Sequence, residues 1–166
     1  MTWIANLIGI CAVALFLLSY QMKQRKGIVL TNAVSRALYV VQYLLLGAFE
    51  GAVLDIVGIV ASVLAQNREK YKKYALWVCL GINAVIVAAG LLLWENWFSL
   101  LPMLGVLFHT GAFWLKDEKK IRLLSLLGSP CWLVYNLYSR AYGSALGDGL
   151  TICSILVALF RYKERK

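Results

Sequence analysis

The chain has 166 residues, 61% of them hydrophobic, and a mean hydropathy of +0.73. Soluble domains carry roughly 45–50% apolar residues, so a water-soluble enzyme or binding module of this length is excluded. Seventeen cations against eight anions give a net charge of +9, and their placement in short loops makes that surplus a membrane-topology signal, with no nucleic acid partner implied.

A helix crosses the hydrocarbon core with about 20 predominantly apolar residues. Seven runs qualify: Trp3 to Tyr20, Ile28 to Gly47, Phe49 to Gln66, Tyr74 to Trp94, Phe98 to Leu115, Ile121 to Tyr138, and Ser144 to Phe160. Stretches such as "AVIVAAGLLLW" are apolar on every face, unlike the alternating strands of a barrel, so the class is all-α. The first run lacks a basic leader and a small-residue cleavage site before "YQMKQRK", and reads as a helix rather than a signal peptide.

Lys and Arg collect in every second gap: Lys23, Arg25 and Lys26; Arg68, Lys70, Lys72 and Lys73; Lys116, Lys119, Lys120 and Arg122; then Arg161, Lys163, Arg165 and Lys166. The other gaps hold Glu50, Glu95 and a single Arg140. Basic loops stay on the cytoplasmic side, so seven spans predict an outside N-terminus and a cytoplasmic C-terminus.

The phrase "SRALYVVQYLLLGAFEGAVLD" returns as "SPCWLVYNLYSRAYGSALGD". At a shift of 94 residues Ser35 meets Ser129, Gln42 meets Asn136, and Arg36 meets Pro130; beyond the loop a shift of 93 pairs Ala48 with Ala141 and Asp55 with Asp148. Two three-helix units in the same orientation follow, a parallel repeat around an axis along the membrane normal. The expected organisation is residues 1–72 as the first unit, 73–96 as a linker helix, and 97–166 as the second unit with a basic tail.

A parallel 3+1+3 arrangement resembles the PQ-loop superfamily of transporters, which includes the SWEET and SemiSWEET (MtN3) sugar carriers. Within it, "LSYQMKQRKGIVLTNAVSRALYVVQYLLLGAFEGAVLDIVGIVASVLA" and "LLGSPCWLVYNLYSRAYGSALGDGLTICSILVALFRYKE" are similar to the YgjV-type bacterial inner-membrane proteins. The resemblance implies a multi-pass inner-membrane protein. It departs from the sugar carriers at their proline-glutamine hinge, which falls on Tyr20-Gln21 and on Trp114-Leu115, and at the third-helix asparagine, which both halves lack.

Ionisable groups inside a membrane cost about 2.5–3.5 kcal/mol each on the lenient insertion scale, which marks them as functional candidates. Arg36 either binds a substrate carboxylate or phosphate, pairs with an aspartate as a gate, or stretches to the head groups. Asp55 and Asp148 either face the central path, as proton acceptors or as outer-gate partners of Arg36 or Arg140, or complement their helix dipoles. His109 suits proton coupling or a hydrogen bond across helices, and Asn83 is a candidate for interhelical bonding.

Gln42 and Asn136 stand among aromatics, Tyr39 and Tyr43 around the first, Trp132 and Tyr135 around the second, as a small polar solute requires. Cys11, Cys79, Cys131 and Cys153 have no C-x-x-C spacing, and no Walker loop, nucleophile elbow or HExxH is present. The expectation is a non-enzymatic carrier without metal or cofactor, in contact with membrane lipids, moving a small polar or anionic solute, with proton coupling as an option. The alternative is a receptor or assembly factor that kept the fold.

Overall fold

The structure, a computed structural model, describes residues 2–19, 25–115 and 118–163. The Tyr20-Gln21 pair and the basic residues at 23, 116, 165 and 166 lie outside that set. Seven α-helices form among the described residues, and no strand: α1 Thr2–Ser19, α2 Arg25–Leu46, α3 Phe49–Gln66, α4 Ala75–Leu92, α5 Leu100–Trp114, α6 Glu118–Tyr138 and α7 Tyr142–Lys163. Each corresponds to one apolar run of the sequence.

The differences lie at the ends. Helices α2, α6 and α7 take in flanking basic residues that hydropathy alone leaves out, because a helix that closes its own backbone hydrogen bonds can continue beyond its apolar run. Helices α4 and α5 are shorter than expected, since Arg68–Tyr74 and Trp97–Ser99 wind as tighter 3-10 turns. The second turn is capped reciprocally: the Asn96 side chain accepts from Phe98 N, and Ser99 Oγ accepts from Asn96 N.

Helix α1 packs against α2 and α7, while α5 packs against α6 and α3. Helix α4 leans on α3 and α5 and buries only Ile86 and Gly90. Ile82 and Ala89 pack partly against the core, and much of its outer apolar surface, including Leu76, Trp77 and Leu92, is exposed, as suits a hydrocarbon surrounding. Helix α2 separates its faces with helical periodicity: Val34, Val41, Leu44 and Leu45 point outward, and Ser35, Gln42 and Tyr43 are buried.

Several contacts recur 93 residues apart. Gly47 and Arg140 both adopt left-handed φ, 75° and 58°. Around them Ala48 N bonds to Tyr43 O and Ala141 N to Asn136 O, while Ala52 N bonds to Ala48 O and Ala145 N to Ala141 O. Gly51 N donates to the Tyr135 hydroxyl, and Ser144 Oγ, 93 positions on from Gly51, donates to Gln42, 93 positions before Tyr135. Asn6 Oδ1 accepts from Gly143 N, and their counterparts Ser99 and Glu50 are hydrogen-bonded to each other.

These bonds bring the start of α1, the α2–α3 turn, the α4–α5 loop and the α6–α7 turn to one end of the bundle. Glu50 is 7% exposed there; its carboxylate accepts from Ser99 Oγ and Glu95 N and ties the α2–α3 turn to the α4–α5 loop. Beside it a shallow cleft is lined by Glu50, Glu95, Asn96, Tyr135 and Tyr138.

Candidate functional site

Arg36 stands in the middle of α2, 11 residues from its start or about 16 Å, deeper than a helix beginning at Ile28 gives it. Its side chain faces inward. Nη1 meets Asp55 Oδ1 of α3 at 2.6 Å, with side-chain exposures of 15% and 7%. Room for the guanidinium comes from Gly58, where a Cβ would lie 3.1 Å from Nη1. Arg36 Nε is buried and has no acceptor among the described residues. The pairing with Asp55 takes up the guanidinium, which does not run along its helix to the head groups.

Asp148 occupies the position in α7 that Asp55 has in α3, six residues past the first helical residue. Helix-dipole stabilisation falls off within the first turn, so neither carboxylate is explained as a dipole partner. Asp148 Oδ2 accepts from Asn136 Nδ2 at 2.6 Å, and Asn136 Oδ1 accepts from the Tyr43 hydroxyl at 2.7 Å. The relay runs from α2 through α6 to α7 and fixes the orientation of the Asn136 amide. Tyr39 of α2 comes against Gly147, where a Cβ would lie 2.8 Å from the Tyr39 hydroxyl.

Gln42 is fully buried. It joins a second network, accepting from Ser144 Oγ at 2.6 Å and donating to Asn6 Oδ1 at 3.2 Å. Three rings pack between these networks. Trp132 stacks on Tyr43 at 6.0 Å, and Tyr135 sits edge-on to both, at 6.2 Å from Tyr43 and 6.0 Å from Trp132. Gly105 leaves the space that the Trp132 indole fills.

Exposure along the inner face of α7 is asymmetric. Gly143, Ser144, Ala145 and Gly147 are buried, whereas Asp148, Thr151, Ile152 and Ile155 are half-buried. Arg36 and Tyr39 are half-buried as well. The helix is thus buried near the α6–α7 turn and partly exposed from Asp148 onward.

Other expected residues stand apart. His109 lies in the α5–α6 interface, its Nε2 3.4 Å from Ser129 Oγ and its ring against Gly128. Asn83 donates to Cys79 Sγ at 3.5 Å along its own helix and reaches none of the others. Arg140 is exposed at the α6–α7 turn, outside the cluster. The contacts that recur do so at a spacing of 93, one less than the alignment that pairs Arg36 with Pro130; Pro130 is exposed on α6 and the neighbouring Ser129 is buried.

Sequence reading missed Asn6, Ser144 and the Glu50–Ser99 pair. Asn6 had a signal, as the one amide in an apolar first helix. Glu50 read as a loop charge, and only its partners reveal that it is buried.

Comparison with known proteins agrees with the helical, lipid-facing architecture. No solved structure matches the chain. It is similar to the "Inner membrane protein YgjV" of Escherichia coli (strain K12), with 19% identity over 147 residues, covering 89% of this chain and 78% of that protein. The family model described as "Imp-YgjV: Bacterial inner membrane protein" matches residues 3–166. The chain thus belongs to the Imp-YgjV family of bacterial inner membrane proteins and resides in the inner membrane.

Proposed function

We propose that the protein is a small-solute carrier of PQ-loop type, in which two parallel three-helix lobes, α1–α3 and α5–α7, rock about a shared polar chamber while α4 links them. The observation that carries this reading is the inward-facing Arg36–Asp55 pair beside the Asn136–Asp148 pair, placed where the lobes meet. Four membrane-embedded polar side chains in one place cost free energy that a purely structural bundle has no need to spend. The recurrence of contacts at a spacing of 93 supports the two-lobe organisation. With basic segments in the cytoplasm, the sealed end faces outside, and the exposure gradient along α7 fits an inward-accessible state.

The outer seal consists of bonds between lobes, Tyr43 to Asn136, Gly51 to Tyr135 and Ser144 to Gln42. Opening outward requires these to part together, and the left-handed turns at Gly47 and Arg140 allow each third helix to move with its lobe.

Reconstituted protein in liposomes tests the reading. Saturable uptake is expected, with Arg36→Gln reducing it roughly ten- to a hundredfold, the equivalent of a lost charge-assisted hydrogen bond of about 1.5–3 kcal/mol. Specific binding without flux for any solute would favour the receptor reading instead.

A further inference from the structure

The two aspartates that recur at a spacing of 93 residues have unlike surroundings. Asp55 meets the Arg36 guanidinium at 2.6 Å and is neutralised by it. Asp148 meets an uncharged amide instead: its Oδ2 accepts from Asn136 Nδ2, while Asn136 Oδ1 accepts from the Tyr43 hydroxyl and so holds the amide in that orientation.

Among the described residues, the elements around Asp148 bring it no cation of its own. Helix α7 packs against α1 and α6. The one ionisable side chain of α1 is Cys11, which is exposed. The charged residues of α6 end at Arg122, fourteen positions or about 21 Å before Asn136, and the cations of α7 begin at Arg161, about 20 Å beyond Asp148. Of the remaining ionisable groups nearby on α6, Tyr135 turns its hydroxyl to Gly51 N and Cys131 bonds along its own helix. Helix α2 supplies the neutral phenols of Tyr39 and Tyr43. Arg36 and Asp55 act on Asp148 electrostatically, but as one ion pair their fields oppose each other. His109 is held in the α5–α6 interface. An ionised carboxylate in these surroundings is an uncompensated charge inside a membrane, and a group so placed takes up a proton instead. On the inner face of α7, Asp148 also stands at the border between the buried stretch before it and the partly exposed one after it.

We infer that Asp148 is a proton-binding site: in this closed form of the bundle its Oδ1 carries a proton, which returns to water when the contact between the lobes changes. The step forms or breaks one O–H bond, with water as donor or acceptor of the proton. Asn136 links it to the lobes, because the amide that donates to Asp148 also accepts from Tyr43 across the lobe interface. Once Tyr43 withdraws, the amide is free to turn, and the hydrogen bonding that sets the affinity of Asp148 for its proton changes with it. This deepens the carrier reading, on which the lobe movement rests, by making the proton the coupling ion; protonation in the closed form is testable without it.

Infrared spectroscopy of the full-length protein in lipid bilayers reads the proton directly. At about neutral pH wild type is expected to show the carbonyl band of a neutral carboxyl group, which Asp148→Asn lacks and Asp148→Glu displaces. Absence of the band in wild type, or a band that stays unmoved in the variants, would overturn the inference; should Asp148→Asn fail to fold, the displacement in Asp148→Glu decides.

Unfolding in mixed micelles supplies the sign. Unfolded aspartates ionise at about pH 4, so a proton kept by the folded chain is released on unfolding, and rising pH favours the unfolded state. Asp148→Asn offers Asn136 the same neutral acceptor with no proton to lose. From about pH 5 upward wild type is therefore expected to lose stability relative to Asp148→Asn, by up to tenfold in the folding equilibrium per pH unit, until the infrared band disappears. A difference that is constant with pH, or that moves in favour of wild type, contradicts the inference. A neutral Asp148 in a protein that moves no solute sinks the carrier reading and leaves the proton site standing; saturable flux with Asp148 ionised does the reverse.

Discussion

Removing one member of the Arg36–Asp55 pair leaves the other charge buried alone, at a cost of about 3–5 kcal/mol. Asp55→Asn and Arg36→Gln are each expected to destabilise the protein by that order, while the double variant loses less than the sum, because both charges leave together. Equilibrium unfolding in detergent or mixed micelles reads this coupling, and additive losses would mean that the two groups do not depend on each other. Arg140 is a contrasting case. It holds φ of 58° at a turn whose counterpart is Gly47, an arrangement that costs a residue with a Cβ about 1–2 kcal/mol. Arg140→Gly is expected to raise stability by about 0.5–1 kcal/mol, and Gly47→Ala to lower it by a similar amount. If Arg140→Gly destabilises the protein, the arginine side chain has a role beyond the turn.

Among elements, the tie between α3 and the α4–α5 loop rests on one carboxylate. Glu50→Ala leaves Ser99 Oγ without its carboxylate acceptor and Glu95 N with Ser99 Oγ alone, a loss of about 1–3 kcal/mol that hydrogen exchange detects as faster opening of the amides from Glu95 to Ser99. Unchanged protection there would contradict the tie. The close contact of α7 with α1 and α2 depends on Gly147, whose missing side chain admits Tyr39 and Val13. Gly147→Val is expected to push these helices apart at a cost of about 1–3 kcal/mol.

The helices themselves were legible as apolar runs, since length and hydropathy are local properties, and α3 matches its run end to end. The polar clusters were legible only as residue types. Arg36, Asp55, Gln42, Asn136 and Asp148 stood out because polar groups are rare in spans, but which of them meet depends on how helices distant in sequence pack. Tyr43 and Asn136 are 93 residues apart, and their bond is set by crossing helices rather than by spacing. The likeness of the turns at Gly47 and Arg140 lies in backbone geometry and not in shared letters, so it could not be read from residue identity.

For the whole molecule, the proposed carrier has two lobes that close on the outer side and open toward the cytoplasm. The basic segments and the acidic turns lie at opposite ends of the bundle, which supports an outside N-terminus; labelling of single cysteines at Thr2 and Ser139 is expected from the periplasmic side, and labelling from the cytoplasmic side would invert the account. A carrier must also expose its chamber to each side in turn. The most direct measurement of that claim is the reactivity of Tyr39→Cys, in a background lacking the four native cysteines, toward an impermeant thiol reagent applied from each side of the membrane in separate preparations. The account predicts labelling from both sides, faster from the cytoplasm. Reactivity from one side alone, under every condition and with every solute, would contradict it.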